Sequence, residues 1–242
     1  MRRKVDVIVT GGGNATRAAK EATSTIPIVM AQSGDPVADG WVASLARPGG
    51  NITGLSNVAP ELNGKRLELL KEIVPKLSRV AVFGTSTARR NAQALRDVEL
   101  AAPAFGIKLQ YLDVLDPKDI ESAFQSARKG RASALLVTIW GPVLKPRLKD
   151  FVALAAKNRL PAMYIDREYV EAGGLVTYGV SEADLDRRAA VYVDKILKGR
   201  TPADLLVEQP MRFEFIINLE AAKQIGLTVP PNVLVRADRV IR

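Results

Sequence analysis

The chain has 242 residues, 47% of them hydrophobic, with 35 Lys and Arg against 26 Asp and Glu, a net charge of +9, and neither histidine nor cysteine. That is enough apolar material for one large or two small globular domains. No apolar run approaches the roughly 18 residues of a membrane helix, disulfides and thiolate metal sites are excluded, and the commonest general base and metal ligand is missing.

Val5 to Val9 reads as a strand, Ala15 to Ala22 as a helix and Ile26 to Met30 as a second strand, an apolar, β-branched run that stops at Ser33-Gly34-Asp35-Pro36. Val37 to Leu45 reads as a short helix broken at Pro48-Gly49-Gly50. After Asn51-Ile52-Thr53-Gly54 the pattern restarts with helix Glu61 to Ile73, strand Arg79 to Phe83, helix Arg89 to Ala102 and strand Lys108 to Leu112. Helix Asp119 to Lys129, strand Ala134 to Thr138, helix Pro146 to Asn158 and strand Ala162 to Ile165 follow. Ser181 and Asp184 form a capping box for a helix whose Leu185, Ala189, Tyr192, Val193 and Ile196 make one apolar stripe, closed by Gly199. Repeated β-α-β units predict an α/β fold with parallel strands and right-handed crossovers. Breaks in the periodicity fall at Gly54 to Pro60 and at Tyr178-Gly179.

The cations do not form a stripe. Arg89-Arg90, Arg128-Lys129, Arg147, Lys149 and Arg187-Arg188 stand singly or in pairs on segments of helical period, as on a solvated helix face. No nucleic-acid-binding motif accompanies them, so no nucleic-acid partner is expected.

In open α/β sheets ligands bind outside the carboxyl ends of the strands, which singles out the polar residues placed there. Gly12 and Asn14, in Thr10-Gly11-Gly12-Gly13-Asn14, follow a strand and open a helix, so the segment is either an anion-gripping turn or a tight turn capped by Asn14. Its glycines are contiguous, unlike a dinucleotide fingerprint, and no P-loop is present. Ser33 and Asp35 end the second strand; Asp35 either pairs with a ligand ammonium or caps the segment that begins at Val37. Ser86, Thr138, Trp140 and Asp166 follow three further strands, with Tyr178 facing them. Trp140 is either a stacking surface for an aromatic ligand or a packing residue, Asp166 a ligand group or an ion-pair partner of Arg167 or a lysine, and Tyr178 a cleft wall or a hinge residue. Ser33, Ser86 and Asp166 make no hydrolase triad, and no lysine is placed for covalent catalysis. The expectation is a non-enzymatic binder without cofactor or metal.

The order Ile26-Pro27-Ile28-Val29, Gly34-Asp35-Pro36, Leu45-Ala46-Arg47-Pro48-Gly49-Gly50-Asn51-Ile52-Thr53-Gly54 and Leu67-Glu68-Leu69-Leu70-Lys71-Glu72-Ile73-Val74-Pro75 carries a resemblance. So do Ala172-Gly173-Gly174-Leu175-Val176-Thr177-Tyr178-Gly179, Ile196-Leu197-Lys198-Gly199 and Ile217-Asn218-Leu219-Glu220-Ala221-Ala222-Lys223-Gln224-Ile225-Gly226-Leu227-Thr228-Val229-Pro230-Pro231. Together they resemble the ABC-transporter substrate-binding proteins that include tryptophan and tyrosine binders. The resemblance implies a type I periplasmic-binding fold of two Rossmann-like lobes joined by a hinge: residues 1–54 plus about 179–204, and residues 55–178 plus about 205–242. It implies a small-molecule ligand, an amino acid or related solute, held in an interlobe cleft by a protein that works with an ABC permease in the periplasm or at the cell surface. Family members usually begin with an export signal and a further β-α-β-α stretch, whereas Met1-Arg2-Arg3-Lys4 shows no signal-peptide pattern and directly precedes the first strand. The first lobe is therefore expected to lack its first strands, to be N-terminally short, and to self-associate through the exposed edge. Two other classes compete. A small-molecule-sensing regulator would need a helix-turn-helix, for which no segment ahead of Val5 is long enough; an α/β enzyme would need machinery that is not visible.

Overall fold

The computed structural model describes residues 5–57, 61–87, 89–138 and 143–242. In chain order the elements are β1 (Ile8–Gly11), α1 (Gly13–Ala22), β2 (Ile28–Ser33), β3 (Ile52–Ser56), α2 (Glu61–Ile73), β4 (Arg79–Gly84) and α3 (Arg89–Ala101). Next come β5 (Lys108–Asp113), α4 (Asp119–Lys129), β6 (Ala134–Val137), α5 (Leu148–Lys157), β7 (Ala162–Tyr164), α6 (Arg167–Glu171) and β8 (Val176–Val180). The chain ends with α7 (Glu182–Leu197), β9 (Phe213–Asn218), α8 (Leu219–Gln224), α9 (Pro231–Leu234) and β10 (Arg239–Ile241). Packing groups the residues into two compact units, Met1–Ala59 with Val180–Phe213 and Pro60–Gly179 with Glu214–Arg242.

In the first unit the strands run β1-β2-β3, all parallel. The two-residue period of β2 explains its burial on both faces. Val29 and Ala31 pack with Leu185, Ala189, Tyr192 and Ile196 of α7, while Ile28 and Met30 pack with Trp41, Val42 and Ile52 on the opposite face. The ladder begins later than the apolar pattern predicts. Ile8 N donates to Pro27 O (2.9 Å), and Pro27 has no N–H to extend the pairing backward, so β1 starts at Ile8 rather than Val5. β1 is an edge strand, and Val5 and Val9 are 43% and 54% exposed.

Val37 to Leu45 is not the predicted helix. It is a series of turns in which Asp39 N bonds Asp35 O and Trp41 N bonds Pro36 O, and Gly40 then takes φ +71. That left-handed residue stops the turn, and Trp41 and Val42 are drawn into the core beside Met30. The segment Ile52–Ser56, given no element and overlapping the break read at Gly54 to Pro60, is the buried strand β3.

The second unit is a sheet in the order β10-β9-β8-β7-β6-β4-β5, with β4–β5, β4–β6, β6–β7, β7–β8 and β9–β10 parallel. Alternation again assigns the layers. Val80, Val82, Leu136 and Met163 face α2, α3 and α8, and Ala81, Phe83, Leu135, Val137 and Tyr164 face α4, α5 and α6. This is the predicted α/β sheet, parallel from β5 through β8; Asn218 N donates to Leu175 O (2.8 Å) and Ser181 N to Arg212 O (3.0 Å), so β9, with β10 beside it, runs antiparallel to β8. Strand order reverses between β4 and β6, so their carboxyl ends form a topological switch point. Among the described residues no helix is long and apolar enough to cross a membrane.

Tyrosines are concentrated in these cores, and burial pushes Tyr164 and Tyr169 well above the usual phenol range. Burial, aided by Asp113, moves Tyr111 up to about 12, and burial moves Tyr192 to about 12. The folded chain thus keeps these phenol protons to higher pH than the unfolded chain, whose tyrosines titrate near about 10. Stability from this source is complete below about pH 10 and is lost as pH rises through about 12 and beyond. A pH titration is expected to show melting temperature falling above about pH 10, with phenolate absorbance from these four of the five tyrosines rising in the same step. Full phenolate titration while the protein stays folded would contradict this.

Candidate ligand-binding site

In the first unit, β1 and β2 deliver the predicted polar groups to one sheet edge. Gly11 is paired with Gln32 across the ladder, Gly12 N donates to Gln32 O (2.6 Å), and Ser33 pairs with Ser56 on the other side. Gly12, with φ 84 and ψ 164, is the N-cap of α1, and no side chain caps that helix. Asn14 therefore stands exposed inside the first turn instead of capping it, and the helix N-terminus keeps unsatisfied amides. Thr16 Oγ1 donates to Gly12 O (3.1 Å) and meets Thr10 Oγ1 at 2.9 Å, which ties the turn to the strand.

Ser33 is fully buried, and among the described residues its hydroxyl has no hydrogen-bond partner. Leaving a buried hydroxyl unmet costs about 1–3 kcal/mol, so such groups are normally satisfied by protein, water or ligand. Asp35 is half-buried, and its Oδ1 accepts from Val37 N (3.2 Å) and Ala38 N (3.0 Å). It is a capping residue by that geometry, with its second oxygen outside these bonds.

In the second unit, Ser86 and Thr138 meet at the switch point through a shared network. Ser86 N and Oγ both donate to Asp113, at 2.7 and 2.6 Å. Buried Thr138 donates its hydroxyl to Phe83 O (2.9 Å) and accepts from the Asn91 amide nitrogen (2.7 Å), whose oxygen accepts from Thr85 N (3.0 Å). The Tyr111 hydroxyl lies 3.3 Å from both Asn91 and Asp113. Trp140 lies outside the described residues.

Asp166 and Tyr178 share a neighbour, Arg66 of α2. Asp166 is the half-buried N-cap residue of α6, and Arg167 pairs with Glu171 (3.0 Å) rather than with Asp166. The Tyr178 carbonyl accepts from Arg66 Nε (2.7 Å), and its ring meets Phe215 edge-on at 6.2 Å. Burial lowers the Arg66 pKa to about 10, while Asp166 and Tyr178 pull it back up, and the side chain remains a cation at neutral pH.

Polar strand ends around a switch point form the kind of edge at which open α/β sheets hold ligands. The family model described as ABC transporter substrate binding protein matches residues 1–241. The chain belongs to that substrate-binding family. A tyrosine-binding protein of Clostridioides difficile is 27% identical over 227 residues, covering 93% of this chain and 64% of the relative. The chain thus spans less than two thirds of that protein. A conserved domain protein of Vibrio cholerae matches at TM-score 0.85 and 30% identity, over 98% of this chain and 79% of that one. The ABC domain from Streptococcus pneumoniae in complex with L-Trp matches at TM-score 0.84 and 25% identity, over the same 98% and 79%.

Three polar residues of this substrate-binding protein escaped the sequence reading: Arg66, Asn91 and Asp113. For Arg66 a signal existed. It lies in the helical stripe Leu62, Leu69, Leu70, Ile73, all buried, so a lone cation interrupts an otherwise apolar face. Asn91 and Asp113 had none, since their partners depend on the strand order β5-β4-β6.

Proposed function

We propose that this protein is the solute-binding component of an ABC importer, taking an amino acid with an aromatic side chain and delivering it to a membrane permease at the outer face of the membrane. Family membership supports the binder role, and the names of two relatives, one tyrosine-binding and one complexed with L-Trp, support the ligand class. The single observation within this chain that carries the reading is the buried hydroxyl of Ser33 at the carboxyl end of β2, without a hydrogen-bond partner among the described residues. In this reading Ser33, Asp35, Gly12 and Asn14 contribute from the first unit, and Ser86, Thr138, Trp140, Asp166 and Tyr178 from the second. No step in it alters the solute.

Ser33→Ala separates a ligand hydroxyl from a structural one. Without ligand, removing an unmet buried hydroxyl is expected to leave melting temperature unchanged or raised. Affinity for L-tyrosine or L-tryptophan is expected to fall by about 1 kcal/mol or more, the worth of one hydrogen bond, by titration calorimetry. A variant that is less stable without ligand yet binds normally would show that Ser33 is bonded within the protein and would remove it from the site. Thermal shift of the unsubstituted protein against amino acids, sugars and nucleotides identifies the ligand class, because only the true class stabilises by mass action.

A further inference from the structure

We propose that Arg66 receives the carboxylate of the solute, so that the protein selects an acid over the corresponding amine. The inference deepens the binder reading above and rests on it.

Arg66 is only 5% exposed and stands in the apolar stripe of α2, where a guanidinium is retained only if its donors are used. It carries five N–H donors in a rigid fork. Nε bonds Tyr178 O (2.7 Å) and Nη1 bonds Asn63 Oδ1 (2.9 Å), and these two bonds use two of the five donors. The bonded carbonyl belongs to β8, two residues before that strand ends at Val180, so the fork is fixed at the sheet edge where ligands of open α/β folds are held.

A carboxylate is the group that such a fork fits, since two parallel N–H donors match its two oxygens. The acidic side chain that acts on Arg66 is Asp166, whose negative charge offsets part of the cost of burying the guanidinium. Arg66 thus reaches from α2 to the β8 backbone near its carboxyl end, beside the carboxylate that follows β7.

The test is calorimetry on the full chain with L-tryptophan, L-tyrosine, tryptamine, tyramine and L-tryptophan amide. The unsubstituted protein is expected to bind the acids at least about 10-fold more tightly than the amines and the amide, as for loss of a charged hydrogen bond. Arg66→Gln is expected to weaken the acids by about 10- to 100-fold and the amines by less than about twofold, bringing the acid-to-amine ratio close to one. Arg66→Lys, which keeps the charge but not the fork, is expected to give an intermediate ratio. Equal losses for acid and amine in Arg66→Gln would overturn the proposal and make Arg66 a prop for the Tyr178 carbonyl. If circular dichroism shows that Arg66→Gln does not fold, Arg66→Lys decides: a reduced ratio supports the proposal and an unchanged ratio overturns it. Equal binding of acid and amine by the unsubstituted protein overturns the Arg66 role and leaves the binder reading standing, whereas no binding of any solute class overturns both.

Discussion

Gly54→Ala is expected to unfold the first unit or to destabilise it on the order of 4 kcal/mol or more, placing it among the exceptional single substitutions. Gly54 sits inside β3 opposite Met30 of β2, with φ +131, a conformation that L side chains rarely adopt. A Cβ built there would lie 2.2 Å from Met30 O and 2.6 Å from Met30 N. Those atoms are main chain of the neighbouring strand and cannot rotate away, so the strands must separate or β3 must leave the sheet. Either outcome disturbs Ile52 and Leu55, which close the two cores of this unit, and the strand end that holds Ser33. Calorimetry is expected to show loss of the transition of this unit while the second unit, whose sheet does not include β3, retains its own. A melting profile indistinguishable from the parent would mean that β3 does not approach β2 as closely as the backbone places it.

The same glycine shows why the sequence conceals part of the fold. Gly49-Gly50-Asn51 and Gly54 punctuate β3 so densely that local rules read a break, and only the proximity of Met30 explains the glycine inside a strand. Val37, Val42 and Leu45 mimic a helical stripe, but Gly40 and the burial of Trp41 against Met30 override it. Where an apolar stripe and its end signals agreed, the bounds were recovered to the residue, as for Glu61–Ile73 and for Asp119–Lys129 ahead of Gly130. Strand ends were legible because an apolar run gives way to polar residues, which is how Ser33 and Asp166 could be singled out. Partnerships across the sheet were not. That Asn91 bridges Thr85, Thr138 and Tyr111 follows from β4 lying between β5 and β6, a fact of topology absent from any local pattern. Arg66 is intermediate: its spacing with Leu62, Leu69, Leu70 and Ile73 puts it on the apolar face of α2, a signal present in the sequence, but its bonds to Asn63 and to the Tyr178 carbonyl follow from the fold.

Phe83→Ala is expected to cost the second unit about 3–5 kcal/mol, the range for truncating a buried aromatic. Phe83 is fully buried on the β4 face that meets α4 and α5, with ring centroids 5.0 Å from Phe124 and 5.6 Å from Phe151. Phe124 and Phe151 also touch at 5.2 Å, and Phe151 continues to Tyr164 at 6.3 Å, so the removed ring is one corner of a closed aromatic triangle. The surrounding rings are held by two helices and a strand, which limits collapse into the cavity and keeps the cost toward the upper end. The consequence reaches the site, because the Phe83 carbonyl accepts from both the amide and the hydroxyl of Thr138 at 2.9 Å, and the next residues of the strand are Gly84, Thr85 and Ser86. Loosening β4 therefore loosens the switch-point network that orients Ser86 and Thr138. Urea denaturation of Phe83→Ala and Phe83→Leu measures the effect, with leucine expected to recover more than half of the loss by refilling most of the volume. A cost below about 1 kcal/mol for the alanine variant would show that this cluster repacks freely and does not hold the strand end in place.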